Sequence, residues 1–424
     1  MVHEGHASIK IERPTFISRI SVRYSVIAAL ALMCNNSHAC STQPKETKPL
    51  LTHGATLYSS ESKRHPAENI DQLLLPIRQK YRLPAMSAAV TTSSRLVAVG
   101  AVGTRKWRGT VKVTLNDPFH LGSDTKAMTA TLLAMLVEKG KLHWNETLSH
   151  CLPQFATTML PVYRNVTVQE LLQHRSGFSS DTALPTDNLM QLHRLVGTSE
   201  QQRSLYTSQL LSQPPTAAPG SQYIYSNRNY AVLGVIEEYI AGMPWEQLIT
   251  GWLFNPLGMK TASFGAAGSP GKQDAPWGHR VIAGVHFAIS PGPLADNPVC
   301  IAPAGEVHCS IEDWAKFVAL QLRGFQGRST LLSAATVNKL YTPQFGGNYA
   351  GGWLVTEREW AGGTVFTHAG SNTMNYCVVW MAPGRDFAVL VATNQGNGGA
   401  SKACDDVAST LIEHFLAEGV KRAH

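Results

Sequence analysis

The chain has 424 residues, 44% of them hydrophobic and 15% charged, and its 36 Lys and Arg outweigh 29 Asp and Glu to give a formal net charge of +7. That apolar content belongs to a globular protein with a substantial core and excludes an intrinsically disordered chain. The positive charge is spread along the sequence and nowhere forms a basic patch with interleaved aromatics, so nucleic acid is not expected as a partner.

Arg19 and Arg23 precede an apolar run over residues 26–34, and Ser37 and Ala39 occupy the third-last and last places before an A-x-A-like cleavage point. This pattern predicts a secretory signal peptide over residues 1–39, since the run is far shorter than the ~20 residues a bilayer span needs. Its removal takes away four Lys/Arg and two Asp/Glu and leaves a net charge near +5. The expected location is secreted, periplasmic or at the cell envelope. A lipidated Cys40 is the one route to membrane attachment, although His38 and Ser37 make a poor lipobox.

A polar linker over residues 40–65 gives way to Ile70, Leu73, Leu74, Ile77 and Tyr81, the spacing of an amphipathic helix. Strands are predicted over residues 86–92 and 96–102, joined by a tight turn at Ser93-Ser94. Met128, Leu132, Leu133, Leu136 and Val137 predict a helix, buried on one side, that ends near Gly140. Thr167-Val168-Gln169-Glu170 has the form of a capping box and starts a helix running to His174. Residues 180–222 are mostly polar, with one helical piece around residues 189–195.

Leu233, Ile236 and Ile240 mark a further helix, and Ser310-Ile311-Glu312-Asp313 begins one that carries Trp314, Phe317, Leu320 and Leu322. Strands return at residues 353–356, 364–367, 376–381 and 387–393, before a last helix with Val407, Leu411, Phe415 and Leu416. Strands therefore stand at both ends and helices dominate between them. The expected architecture is α/β (α+β): one domain over residues 66–424, its antiparallel sheet built from both termini, with a mainly helical subdomain inserted at about residues 124–300.

Ser123 and Lys126 stand at i and i+3 where the apolar helix opens, so their side chains share a face. Ser60-Glu61-Ser62-Lys63 and Ser269-Pro270-Gly271-Lys272 spell the same pattern but sit in loop-like stretches, which shows how cheaply it arises. Tyr225-Ser226-Asn227 precedes the next helical pattern, and His368-Ala369-Gly370 follows a β-favouring run. Taken singly, Tyr225 reads equally as a packed aromatic, Asn227 as a turn residue, His368 as a strand end, and His120 and His174 as structural histidines.

A serine hydroxyl needs a base, and no G-x-S-x-G elbow is present to recruit a Ser-His-Asp triad. Lys126 and Tyr225 can act instead: a lysine in a dry pocket loses its proton more readily, and a tyrosine facing an ammonium gains phenolate character. Which of the two is the base stays open, because the pair titrates as a unit. Asn227 can donate and accept at once, which suits it to hold Lys126 or a substrate carbonyl. Cys151, Cys300, Cys309, Cys377 and Cys404 show no zinc spacing and read as buried thiols; with H-E-x-x-H also absent, no metal or cofactor is expected.

The ordered set Ser123-x-x-Lys126, Tyr225-x-Asn227 and His368-x-Gly370 resembles the serine β-lactamase and penicillin-binding-protein superfamily. The likeness is to its class C-like branch, with D,D-peptidases bearing an H-x-G motif and family VIII carboxylesterases. Leu171-Leu172-Gln173-His174-Arg175-Ser176-Gly177, Pro256-Leu257-Gly258-Met259, Pro303-Ala304-Gly305, Gly352-Trp353 and Pro383-Gly384-Arg385-Asp386 also resemble family segments. The resemblance implies a β-lactamase/transpeptidase-like fold and an acyl-enzyme on Ser123. Tyr225 would take the Ser123 proton, with Lys126 and Asn227 orienting the network. The backbone N–H groups of Ser123 and Ser371 would meet the oxyanion, and Gly370 would let substrate approach the strand.

Class C β-lactamases carry lysine where this chain has His368, and histidine is mostly neutral at pH 7. The departure weakens the β-lactamase reading. The favoured activity is therefore that of a carboxylesterase, with D,D-carboxypeptidase or D-aminopeptidase, β-lactamase, and a non-catalytic penicillin-binding sensor as alternatives. The expected partner is a small-molecule ester, amide or β-lactam.

Overall fold

The computed structural model describes residues 66–181 and 186–422. The leader and linker expected over residues 1–65, Cys40 included, lie outside them. The described chain opens with β1 (Glu68–Asn69), α1 (Asp71–Lys80), β2 (Ala85–Thr91), β3 (Leu96–Gly103) and β4 (Phe119–His120). There follow α2 (Thr125–Glu138), α3 (Val168–Leu172), α4 (Ser199–Leu211) and α5 (Asn227–Ala241), with shorter helical pieces between them. Next come β5 (Ser263–Phe264), β6 (Gly278–Ile282), β7 (Val285–Ile289), β8 (Val307–Cys309), α6 (Ile311–Phe325) and α7 (Ala334–Tyr341). The chain finishes with β9 (Tyr349–Ala350), β10 (Trp353–Arg358), β11 (Gly363–Ser371), β12 (Tyr376–Ala382), β13 (Phe387–Thr393) and α8 (Ala400–Arg422).

The two ends of the chain meet in one eight-stranded sheet of order β1-β3-β2-β13-β12-β11-β10-β9. Its pairs are antiparallel except for β1 with β3, and the joint between the halves is β13 on β2, with Leu390 opposite Ala89 and Thr393 opposite Met86. Strand alternation explains why this sheet takes helices on both faces. Met86, Ala88, Val90, Val389 and Val391 face Val407 and Leu411 of α8 and Leu74 of α1. Ala85, Ala89, Leu390 and Ala392 belong to the opposite core with α2 and α6. Each large aliphatic side chain so enclosed contributes about 1.5–3 kcal/mol.

The helix carrying Lys126 is buried more completely than its spacing suggests. Every residue from Thr125 to Leu136 is buried, not only one stripe, because α2 runs through the middle of the molecule. Two elements escaped the sequence pattern. In residues 180–222 the structure has Thr186–Leu192 and then α4, which starts from a capping box of Thr198 and Gln201. The buried face of α4 is Arg203, Tyr206, Thr207 and Leu211, so polar residues hide its apolar period. Arg203 is fully buried but lies 2.6 Å from Glu238 and 3.0 Å from Glu246, which compensates its charge.

The β6–β7 hairpin was concealed by its turn. Ala283 (φ +48) and Gly284 (φ +78) supply two left-handed residues where Asn-Gly is the usual signature. All five cysteines among the described residues are free and buried. Among the described residues no helix is long and apolar enough to cross a membrane.

Candidate active site

β4 delivers the chain to a left-handed Gly122 (φ +47), after which Gly122–Asp124 forms a 3₁₀ turn that runs into α2. The end of β11 lies directly against this turn. A Cβ on Gly122 would stand 2.3 Å from Ser371 N, and one on Gly370 would stand 1.9 Å from the Leu121 carbonyl oxygen. Only glycine fits at either position. The close approach brings the backbone at Ser371 onto the turn that carries Ser123.

Lys126 is fully buried one helical turn further on. Its Nζ donates to Ser123 Oγ at 3.0 Å, to Asn227 Oδ1 at 2.6 Å and to the Ala304 carbonyl at 2.8 Å. It also stands 4.9 Å from the centroid of the Tyr225 ring and 5.6 Å from that of Tyr230. Burial pushes its pKa down to about 7, against the pull of the Asp181 and Asp124 carboxylates.

Tyr225 and Asn227 arrive from the start of α5. The Ser226 side chain caps that helix by accepting from Arg228 N, which places Asn227 in the first turn, beside Lys126. Asn227 N donates to Asp181 Oδ2 at 2.6 Å. Burial raises the Tyr225 phenol well above its ordinary value, while a hydrogen bond with Ser123 acts the other way. The segment before the helix is held by His174, whose Nδ1 accepts from Ser226 N at 3.3 Å and faces Asn229 Nδ2 at 3.1 Å. Tyr223, Tyr225, Tyr230 and Tyr349 surround the His174 ring, and burial there keeps it neutral.

His368 is buried on β11. Its Nε2 is 3.2 Å from Tyr349 Oη, and its Nδ1 is 3.2 Å from Asp124 Oδ1, close enough for an ion pair but misaligned for a hydrogen bond. Both ring nitrogens thus face protein groups. The exposed neighbours on the strand are Ala369 and Ser371, and the Ser371 hydroxyl donates to the Asn375 carbonyl and accepts from Thr373 N.

The fold therefore gathers Ser123, Lys126, Tyr225 and Asn227 around one ammonium, with Gly370 and Ser371 at the edge and His368 beneath. Asp124, Asp181, Tyr349 and the Ala304 carbonyl belong to the same neighbourhood and were not singled out from sequence. Asp124 stood in plain view inside Ser123-x-x-Lys126, and Ala304 inside Pro303-Ala304-Gly305. Asp181 and Tyr349 sit in segments without periodicity and gave no signal. Among the described residues no group of three or more His, Cys, Asp or Glu side chains is placed to hold a metal ion.

The sequence profile of the beta-lactamase family matches residues 70–411. Penicillin-binding protein 4 of Amycolatopsis lactamdurans is 25% identical over 344 residues, which cover 78% of this chain and 85% of that protein. Among solved structures, an octameric penicillin-binding protein homologue from Pyrococcus abyssi matches with a TM-score of 0.67 at 21% identity, over 82% of this chain and 77% of that one. EstCE1, a hydrolase with promiscuous acyltransferase activity, matches with a TM-score of 0.63 at 19% identity, over 80% of this chain and 99% of that one. At such identities the structural likeness concerns the fold, whereas the family match spans most of the sequence: the chain belongs to the beta-lactamase family of serine hydrolases.

Proposed function

We propose that this protein is a carboxylesterase acting on small neutral acyl substrates through an acyl-enzyme on Ser123. Lys126 in its free-amine form takes the Ser123 proton as Oγ attacks the substrate carbonyl. The oxyanion is met by the backbone N–H groups of Ser123 and Ser371. Tyr225, kept protonated by burial, passes a proton to the leaving alkoxide and recovers one from Lys126. Water then repeats the sequence on the acyl-enzyme. The leader pattern of residues 1–39 supports action outside the cytoplasm.

The observation that carries the choice of substrate is the state of the cations at the site. Lys126 is enclosed by three oxygens, Arg228 donates to the Ser179 carbonyl, and Arg175 donates to the Gly220 and Phe345 carbonyls. His368 is turned to Tyr349 and Asp124, and the exposed β11 position beside it is Ala369. A substrate carboxylate would find no free cation on these segments. Asp181 favours a second reading, hydrolysis of D-amino-acid amides or D-aminopeptides, because its carboxylate, which accepts from Asn227 N and has Arg228 no closer than 3.8 Å, can exchange that long ion pair for a substrate ammonium.

The test is intact-protein mass and turnover with a p-nitrophenyl ester, a penicillin, a D-Ala-D-Ala peptide and a D-amino-acid amide in parallel. Fast ester turnover that Ser123→Ala abolishes is the expected result. Preferred turnover of the amide would select the second reading. A persistent penicillin adduct with no turnover of any substrate would instead indicate a sensor.

A further inference from the structure

Asp296 lies outside every family-like segment, in the loop between β7 and β8, yet it is buried and bonded to both backbone segments that frame Ser123. Its first arm runs through His120. The His120 Nε2 stands 2.8 Å from the Asp296 carboxylate, and its Nδ1 is 3.0 Å from Gly122 N. A backbone N–H can only donate, so Nδ1 carries no proton and the neutral ring is the tautomer that donates from Nε2 to Asp296.

The second arm runs through Asn372, the residue after Ser371. Asn372 Nδ2 donates to Asp296 Oδ1 at 3.1 Å, while Asn372 Oδ1 accepts from Met374 N at 3.2 Å and from Asn375 N at 2.9 Å. The turn that ends β11 is thereby tied to the same carboxylate. A third contact reaches the Lys126 pocket: Asn297 N donates to Asp296 Oδ1 at 2.6 Å, and Asn297 Nδ2 donates to the Gly305 carbonyl at 2.7 Å, next to Ala304.

We infer that Asp296 is a positioning residue for acyl transfer, which through His120 and Asn372 fixes the Ser123 and Ser371 backbone N–H groups relative to each other. The inference rests on the reading of Ser123 as nucleophile. Two donors that bind one oxyanion act together only when both point at the same place, and a misplacement of about 1 Å can cost about 10²-fold in rate. Asp296 suits the task because it only accepts, and its neighbours His120, Asn372 and Asn297 all present donors.

Asp296→Asn keeps the shape and breaks the logic. If its amide nitrogen faces His120, the imidazole must move its proton to Nδ1, which then opposes the Gly122 N–H. If the amide oxygen faces His120, the nitrogen opposes the Asn372 and Asn297 donors instead. Either way one arm is lost.

The experiment measures ester kinetics, arylboronic acid affinity and the ¹⁵N resonances of His120 in wild type, Asp296→Asn, Asn372→Leu and Ser123→Ala. In wild type, His120 is expected to show the Nε2–H tautomer. Asp296→Asn should lower kcat about 10–100-fold with KM within about threefold. Its affinity for the boronate, whose tetrahedral adduct fills the oxyanion position, should fall in parallel. Asn372→Leu removes only the β11 arm and should move the same quantities in the same direction, so the proposal remains testable if Asp296→Asn misfolds. A folded Asp296→Asn or Asn372→Leu with kcat and boronate affinity within twofold of wild type would overturn the inference, as would an Nδ1–H tautomer in wild type. Full turnover by Ser123→Ala would overturn the nucleophile assignment, a distinct outcome.

Discussion

Lys126 Nζ sits 2.6 Å from Asn227 Oδ1, a contact between residues 101 positions apart where α2 meets the start of α5. With the Ala304 carbonyl at 2.8 Å and Ser123 Oγ at 3.0 Å, the amine has three oxygen neighbours. A neutral amine offers two N–H groups and one lone pair. The amide and carbonyl oxygens take two N–H groups, so loss of the third proton, the one directed at Ser123 Oγ in the ammonium form, turns the lone pair to the Ser123 hydroxyl.

The pH dependence of acylation follows from that geometry. Burial lowers the Lys126 pKa to about 7, and the protonated form has no lone pair for Ser123. kcat/KM for a p-nitrophenyl ester should therefore rise about tenfold per pH unit well below pH 7 and level off above it. A flat profile between about pH 5.5 and 8 would remove Lys126 from the role of base.

Lys126→Ala and Tyr225→Phe should each slow acylation by orders of magnitude. Because both groups serve one proton path, the double variant should be little worse than the poorer single variant. Stopped-flow release of p-nitrophenolate in the four proteins gives the comparison. Losses that multiply would show that the two side chains act independently.

The gathering of Ser123, Lys126, Tyr225 and Asn227 into one candidate site was legible because the motifs that carry them are defined by residue type and chain order, and the sheet was legible because residues 86–102 and 353–393 carry strand patterns. The orientation of His368 was not legible. Alternation along β11 separates its side chain from that of Ala369, but which face meets the cleft is decided by Asp124 and Tyr349, which come from elsewhere. Asp296 was hidden for a related reason. Its partners lie 176 and 76 residues away in sequence, and no local period links them. Arg203 shows the limit from the other side, since a buried charge paired with Glu238 and Glu246 made α4 look like a solvated stretch.

The contact of β11 with the Ser123 turn gives a steric prediction. Gly370→Ala would drive its Cβ to 1.9 Å from the Leu121 carbonyl oxygen, a backbone atom that cannot step aside without moving the turn. The variant should lose most ester turnover and melt at lower temperature. Gly284→Ala is the matched control: its Cβ meets nothing within 4 Å, so only the left-handed strain of φ +78 remains. That control should cost about 1–2 kcal/mol and leave turnover unchanged. Equal activity of Gly370→Ala and wild type would show that β11 does not press on the turn.

Substrate charge preference can be reversed at Ala369 more readily than at His368. The class C comparison places a lysine at His368, but here that position is buried against Asp124 Oδ1 and Tyr349 Oη. A lysine introduced there would pair with Asp124 and add a second buried ammonium near Lys126, so His368→Lys should lose ester activity without gaining carboxylate recognition. Ala369 is exposed beside Ser371 on the same strand. Ala369→Arg offers a planar donor fork to the cleft, and a charge-assisted hydrogen bond to a carboxylate contributes about 1.5–3 kcal/mol. The ratio of kcat/KM for a carboxylate-bearing penicillin to that for a neutral p-nitrophenyl ester should therefore rise at least about tenfold in Ala369→Arg. It should not rise in His368→Lys. The opposite pattern, a gain in His368→Lys and none in Ala369→Arg, would mean that residue 368 faces the substrate and that the neutral-ester reading rests on the wrong side of the strand.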